Sequence, residues 1–346
     1  MSDLDVGRAV DWGFAATVGG WLARPAPPMT DYTRGQVIDE LFRCARAAEP
    51  LVRETTGLAA GTAPIPEAKV VDRPQWIAAA AESMRVMTGG ADEPAGFVSG
   101  HLAGAQTGAV LAFVSSGILG QYDPFCVDPT GEVGQLLLVF PNVVAVEREL
   151  RVPPADFRLW VCLHEVTHRV QFSVNPWLPG YMSDALAVLT GDRGPDITQM
   201  VGRLADHLRG GQGDAGPSGF LGLVRAVQSE PQRIALDQLL TLGTLLEGHA
   251  DHVMDAVGPV AVPSVATIRA RFEARRGRRQ SPLQRLLRAL LGLDAKLSQY
   301  TRGKAFVDAV VGRVGMDRFN AVWTGPQALP LSAEIEEPQR WIDRVL

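Results

Sequence analysis

The sequence predicts a mainly α-helical protein with few short strands. Three observations predict it. Apolar residues recur at helical spacing through most of the readable segments, whereas alternating strand patterns are scarce. Glycine, proline and aspartate stand where such helices should start and stop. The 346 residues are 46% hydrophobic and 21% charged, ordinary globular values that exclude a disordered, collagen-like or coiled-coil chain. The length reads as one large, mostly helical domain over 1–346, with an N-terminal helical part (1–128), a middle part (150–260) and a C-terminal helical part (261–346).

In chain order, residues 34–57 place Val37, Leu41, Ala45 and Leu51 near one stripe and stop at Gly57, a natural C-terminal position. Residues 58–73 are broken by Gly61, Pro64 and Pro66, after which Asp72 caps a second helix over 74–87 that ends at a glycine pair. From Ala95 to Tyr122 there is no Asp, Glu, Lys or Arg, a stretch longer than the roughly 20 residues of a membrane span. It is rich in small residues, carries His101, Gln106, Thr107, Ser115 and Ser116, and spaces Gly100, Gly104 and Gly108 for close helix packing. It is read as a buried helix rather than a span. Glu132 to Val146 is an apolar, β-rich run interrupted by Pro141 and Asn142, expected as a short edge strand. Pro153, Pro154 and Asp156 open a helix that runs to about Phe172. Residues 209–219 form a flexible loop, Pro231 to Gly258 another helix, and 283–346 further helices with Gly and Pro punctuation.

A net charge of −5 provides no global attraction to a phosphate backbone, so nucleic acid is not expected as a partner. The basic run Arg269, Arg271, Arg275, Arg276, Arg278 and Arg279 reads as a solvated linker. Cys44, Cys126 and Cys162 are odd in number and lack a C-x-x-C, which argues against a disulfide framework or a thiolate metal site. Cys162 reads as a small buried hydrophobe, and Trp160 and Trp177 as packing residues. The opening residues, MSDLDVG, are acidic where a secretory signal is basic, so the expected location is cytoplasmic.

The sharpest signal is His164-Glu165-Val166-Thr167-His168, an H-E-x-x-H. With 6 histidines in the chain, chance would produce it on the order of 0.005 times, so coincidence explains it poorly. On a helix, residues i and i+4 lie about 40° apart and about 6 Å along the axis, so both imidazoles can reach one metal. The plain alternative is a helix of packed, hydrogen-bonded histidines. A zinc site needs a third ligand, and the remaining polarity collects at Glu247-Gly248-His249-Ala250-Asp251-His252. Glu247 is favoured, with Asp251 one turn on as a carboxylate that would orient an imidazole; His249, His252 and Asp251 stay open as ligands. Gly248 would let two helices approach closely. The E-x-x-x-D arrangement resembles the gluzincin group, in which the Glu binds zinc and the Asp supports the first His. The chemistry expected is a zinc-activated water with Glu165 as general base. Tyr181, His252 and Arg169 are unresolved candidates for contacting the oxyanion or substrate.

The segments LWVCLHEVTHRVQFSVNPWL, GILGQYD, LLEGHADHVMD, LLGLDAKLSQYTRGKAFVDAV and EEPQRWIDRVL together resemble the zincin-like metallopeptidase type 2 family, nearly end to end from Val10. Bacterial members are often labelled zinc-dependent metalloproteases or proteins associated with biosynthesis of a deazaflavin coenzyme. The resemblance implies a mostly helical zincin-like fold, one Zn2+ held by His164, His168 and Glu247, and Glu165 as catalytic base. Arg169 departs from the pattern, because zincin helices usually carry an uncharged residue after the second His. The expected function is that of a zinc-dependent metallohydrolase, specifically a metallopeptidase acting on a peptide or protein substrate, with no nucleic-acid or membrane partner. The alternative is a non-catalytic binding or scaffold protein with a structural zinc.

Overall fold

The computed structural model describes residues 9–58, 66–90, 96–127, 131, 133–190, 229–278 and 293–346; the expected loop at 209–219 and the start of the tail, 283–292, lie outside them. The described residues are mainly helical, with three short strands. The chain divides into two compact units. One is made of residues 5–183 and 249–274, the other of residues 1–4, 184–248 and 275–346.

The first unit contains α1 (Trp12–Leu22), α2 (Asp31–Thr56), β1 (Lys69–Val71), α3 (Arg73–Met87), α4 (Phe97–Ser115), β2 (Gly120–Val127), β3 (Val133–Val139), α5 (Phe140–Leu150) and α6 (Pro154–Ser173). It also holds the first part of α7 (Leu178–Thr190), α8 (Glu230–Ala261) from His249 onward, and most of α9 (Val265–Arg278). Local chemistry sets the ends. Asp11 accepts from Phe14 N at 2.8 Å to cap α1, Gly57 closes α2 at φ 67°, and Asp72 with Gln75 forms a reciprocal capping box on α3.

The strands order as β1-β3-β2. β1 runs parallel to β3, with Lys69 opposite Leu137, and β2 antiparallel, with Gly120 opposite Leu138. Successive residues of a strand point to opposite faces, and β3 uses both. Leu136 and Leu138 join a buried cluster with α2, α5 and α6, while Leu137 and Val139 join another with Trp12, Trp76 and Ile77. The sheet is therefore covered on both sides. The expected edge strand at 132–146 is corrected here in two respects: β3 is the central strand, and it stops at Val139. Pro141 falls in the first turn of α5, where its missing N–H costs nothing, and Val143, Val144 and Val146 are buried from a helix.

Reading 95–122 as a buried helix also needs correction. α4 is long and apolar enough to cross a membrane by length and composition alone. Only its glycine face is covered: a Cβ at Gly104 would lie 2.6 Å from Asp11 O, and one at Gly108 2.4 Å from Ala15 O, so α1 and α4 pack backbone to backbone. On the other face Phe97, Val98 and Leu102 are exposed. The basic run at 269–279 is helical rather than a linker as far as it is described. Arg269 pairs with Asp251 and Asp255 and lies over the Trp160 ring, and Arg271 donates to Leu150 O and Arg151 O.

The second unit contains the first part of α8, α10 (Leu293–Val314), α11 (Met316–Phe319), 3-10 turns at Asn320–Trp323 and Pro326–Ala328, α12 (Ser332–Glu336) and α13 (Pro338–Val345). Its centre is Trp341, fully buried against Phe306 and Phe319, with its indole N–H donated to Ala328 O at 2.8 Å. As expected from the sequence, Gly248 permits a close helix contact: a Cβ there would lie 2.2 Å from the Gly303 carbonyl carbon of α10. Gly243, on the same helix, has nothing within 4 Å of its Cβ position. Gly248→Ala should therefore lower stability by about 1–3 kcal/mol through overpacking, whereas Gly243→Ala should raise it by up to about 1 kcal/mol through helix propensity. Urea unfolding of the two variants checks both signs.

Candidate metal centre

Pro154 starts α6 at a position that needs no N–H, and Asp156 in the first turn accepts from both the backbone N–H and the hydroxyl of Ser264. The helix is anchored by Val161, Leu163, Val166 and Val170 in the core and by buried Arg158, which donates to both carboxylate oxygens of Glu147 at 2.9 and 2.8 Å and to Glu40. Because one face of α6 is fixed this way, the residues one turn apart on another face, His164 and His168, are left half-buried.

Their Nε2 atoms stand 3.2 Å apart. Two nitrogens on one tetrahedral zinc, each at about 2.0–2.1 Å, are about 3.3 Å apart, so the pair already has the spacing that one ion would impose. The Nδ1 atoms are occupied elsewhere. His164 Nδ1 meets the Met254 sulfur at 3.2 Å, and His168 Nδ1 meets Gln171 Oε1 at 2.9 Å. A thioether accepts and never donates, so His164 carries its proton on Nδ1 and turns a lone pair out at Nε2.

α8 is unbroken through this region, and its kink comes only at Gly258, where φ is 70°. Met254 and Glu247 are seven residues apart, two turns along nearly one stripe, so the stripe that meets His164 also carries Glu247. A carboxylate oxygen of Glu247 and a ring nitrogen of each histidine all lie within 4.8 Å of one another, and all three residues are half-buried. Two neutral imidazoles and one carboxylate form a donor set suited to zinc with a coordination position left over.

The zincin-like metallopeptidase family matches residues 10–342. The chain belongs to that family. A solved structure from Chloroflexus aurantiacus, described as "a putative hydrolase with a novel fold", is similar to it at 29% identity and a TM-score of 0.67, over 97% of this chain and 98% of that one. Comparison with curated proteins gives no significant match.

Within this zincin-like fold the other expected residues fall in different places. Glu165 is buried, 6% exposed, and packs against Gly120 at the start of β2: a Cβ on Gly120 would lie 2.6 Å from Glu165 Cγ and 2.8 Å from Cδ. Asp251, expected to support the first histidine, instead accepts from Arg269 Nη1 at 3.2 Å, and Met254 stands at His164 Nδ1. Arg169 is tied to Glu49 of α2 and to Pro66 O, which turns its guanidinium away from an oxyanion role. Tyr181 on α7 lies edge-on to Trp177, with burial pushing its hydroxyl pKa up. His249 is fully buried, accepts no direct place in the His-His-Glu group, and bonds Gln171 Nε2 through Nδ1 at 2.9 Å. Burial, with the nearby His252 and His168, pushes its pKa down to about 3, so it is neutral.

Gln171, Met254 and Gly120 were not legible as site residues from composition or motif. A signal existed for the first: Gln171 is the polar residue three positions beyond His168, between Val170 and Phe172, on the turn that follows the ligand face. Gly120→Ala should displace the Glu165 carboxylate while leaving His164 and His168 in place; a structure of the variant checks it, and an unmoved Glu165 would refute the packing argument.

Proposed function

We propose that this zincin-like protein is a zinc-dependent hydrolase of peptide or other amide bonds, with His164, His168 and Glu247 as metal ligands and Glu165 as general base. The reading is carried by two imidazole nitrogens at 3.2 Å on the same helix as a buried glutamate adjacent to the first of them. Zinc bound there would supply a Lewis acid that polarises a carbonyl and acidifies water.

The chain's own residues do the remaining work. Met254 and Gln171 hold the imidazoles so that their Nε2 atoms face the same point. The Glu165 carboxylate takes a proton from the attacking water and returns it to the leaving nitrogen. β2 lies at one edge of the sheet, and its first residue touches Glu165. An extended peptide pairing with that edge would bring an amide bond beside the base, which favours a peptide over a compact substrate.

Elemental analysis of purified protein should find about one zinc per chain in the wild type, and loss of most of it in His164→Ala and in Glu247→Ala. No metal in the wild type after zinc reconstitution would overturn the reading. In a peptide-library assay Glu165→Gln should keep its zinc and lose about 10²–10⁴-fold in turnover. Full turnover in that variant would remove Glu165 as the base, while zinc without turnover in the wild type would favour a structural metal.

A further inference from the structure

We infer that Gln171 is a positioning residue that presents His168 to the metal in the required tautomer, and that His249 holds the Gln171 amide the right way round. The tautomers follow from hydrogen bonds alone; their consequence for zinc rests on the proposed function.

Gln171 is fully buried on α6, and its side chain ends at two imidazoles at once: Oε1 is 2.9 Å from His168 Nδ1, and Nε2 is 2.9 Å from His249 Nδ1. A primary amide has one accepting end and one donating end, so the two contacts are not independent. With Oε1 toward His168, that ring carries its proton on Nδ1 and has its lone pair at Nε2, the atom 3.2 Å from His164 Nε2. With the amide reversed, His168 would be protonated at Nε2 and unable to bind a cation there. The orientation compatible with a metal therefore requires His249 to accept at Nδ1 and carry its own proton on Nε2. A buried neutral imidazole can do so, because it has one accepting and one donating nitrogen. The Gln171 backbone carbonyl also accepts from Asn175 Nδ2 at 2.7 Å, which secures the turn of α6 that carries the amide. Supporting partners of this kind govern ligand orientation and basicity, and their loss typically costs 10–100-fold in metal affinity.

The test pairs zinc dissociation constants, measured by chelator competition, with long-range nitrogen NMR of the histidine rings in zinc-loaded protein. Wild type should show His249 as the Nε2–H tautomer. Gln171→Met, similar in size and without the amide, should bind zinc about 10–100-fold more weakly. Gln171→Glu restores an acceptor for His168 and cannot donate, so it should recover most of the affinity and switch His249 to the Nδ1–H tautomer. Wild-type affinity in Gln171→Met, or an Nδ1–H tautomer of His249 in the loaded wild type, would overturn this role and leave the metal site standing. No zinc binding by the wild type would overturn the proposed function and this role with it.

Discussion

The arrangement of the site depends on where two protons sit. Imidazole can bind a metal through Nε2 only when its proton is on Nδ1, and an Nδ1 proton inside a protein needs an acceptor. His164 finds one in the Met254 sulfur and His168 in the Gln171 amide, so the two rings turn their lone pairs toward a single point. Those lone pairs repel one another at 3.2 Å unless a proton or a cation lies between them. The H-E-x-x-H motif sets the spacing of the rings; the buried partners set which atom of each ring faces inward.

The scaffold holds this turn of α6 with contacts that leave its neighbours little freedom. Core valines and leucines fix one face, and Arg158, donating to both oxygens of Glu147 and to Glu40, fixes the base of the helix. Glycines recur where backbones or site side chains come close. Gly104 and Gly108 seat α4 on α1, Gly248 seats α8 on α10, and Gly120 makes room for the Glu165 carboxylate. At these positions the absence of a side chain decides the packing.

Much of the fold was legible in local chemistry. The helices at 31–56, 73–87, 154–173 and 230–261 match the apolar periodicity over 34–57, 74–87, 153–172 and 231–258, bounded by Gly57, Asp72, Pro154 and Gly258, because caps and breakers act within one turn. The run at 132–146 reads as one strand because buried strands and buried helices share the same valines and leucines. Pro141 lies just past the boundary between β3 and α5 rather than within one interrupted strand. The arginines at 269 and 271 read as solvated because their acceptors, Asp251, Asp255 and the end of α5, are not neighbours in sequence.

By itself the sequence determined the helical class, the paired histidines with their intervening glutamate, and the later helix carrying Glu247, since each depends on residues within a few positions of one another. Tertiary structure decided which groups surround them. It assigned Asp251 to Arg269 and Arg169 to Glu49, and it brought Met254 and Gln171 to the backs of the imidazoles and His249 to the Gln171 amide. A hydrogen bond between α6 and α8 joins residues nearly eighty positions apart, and no periodicity along either helix specifies which donor meets which acceptor until the two are packed.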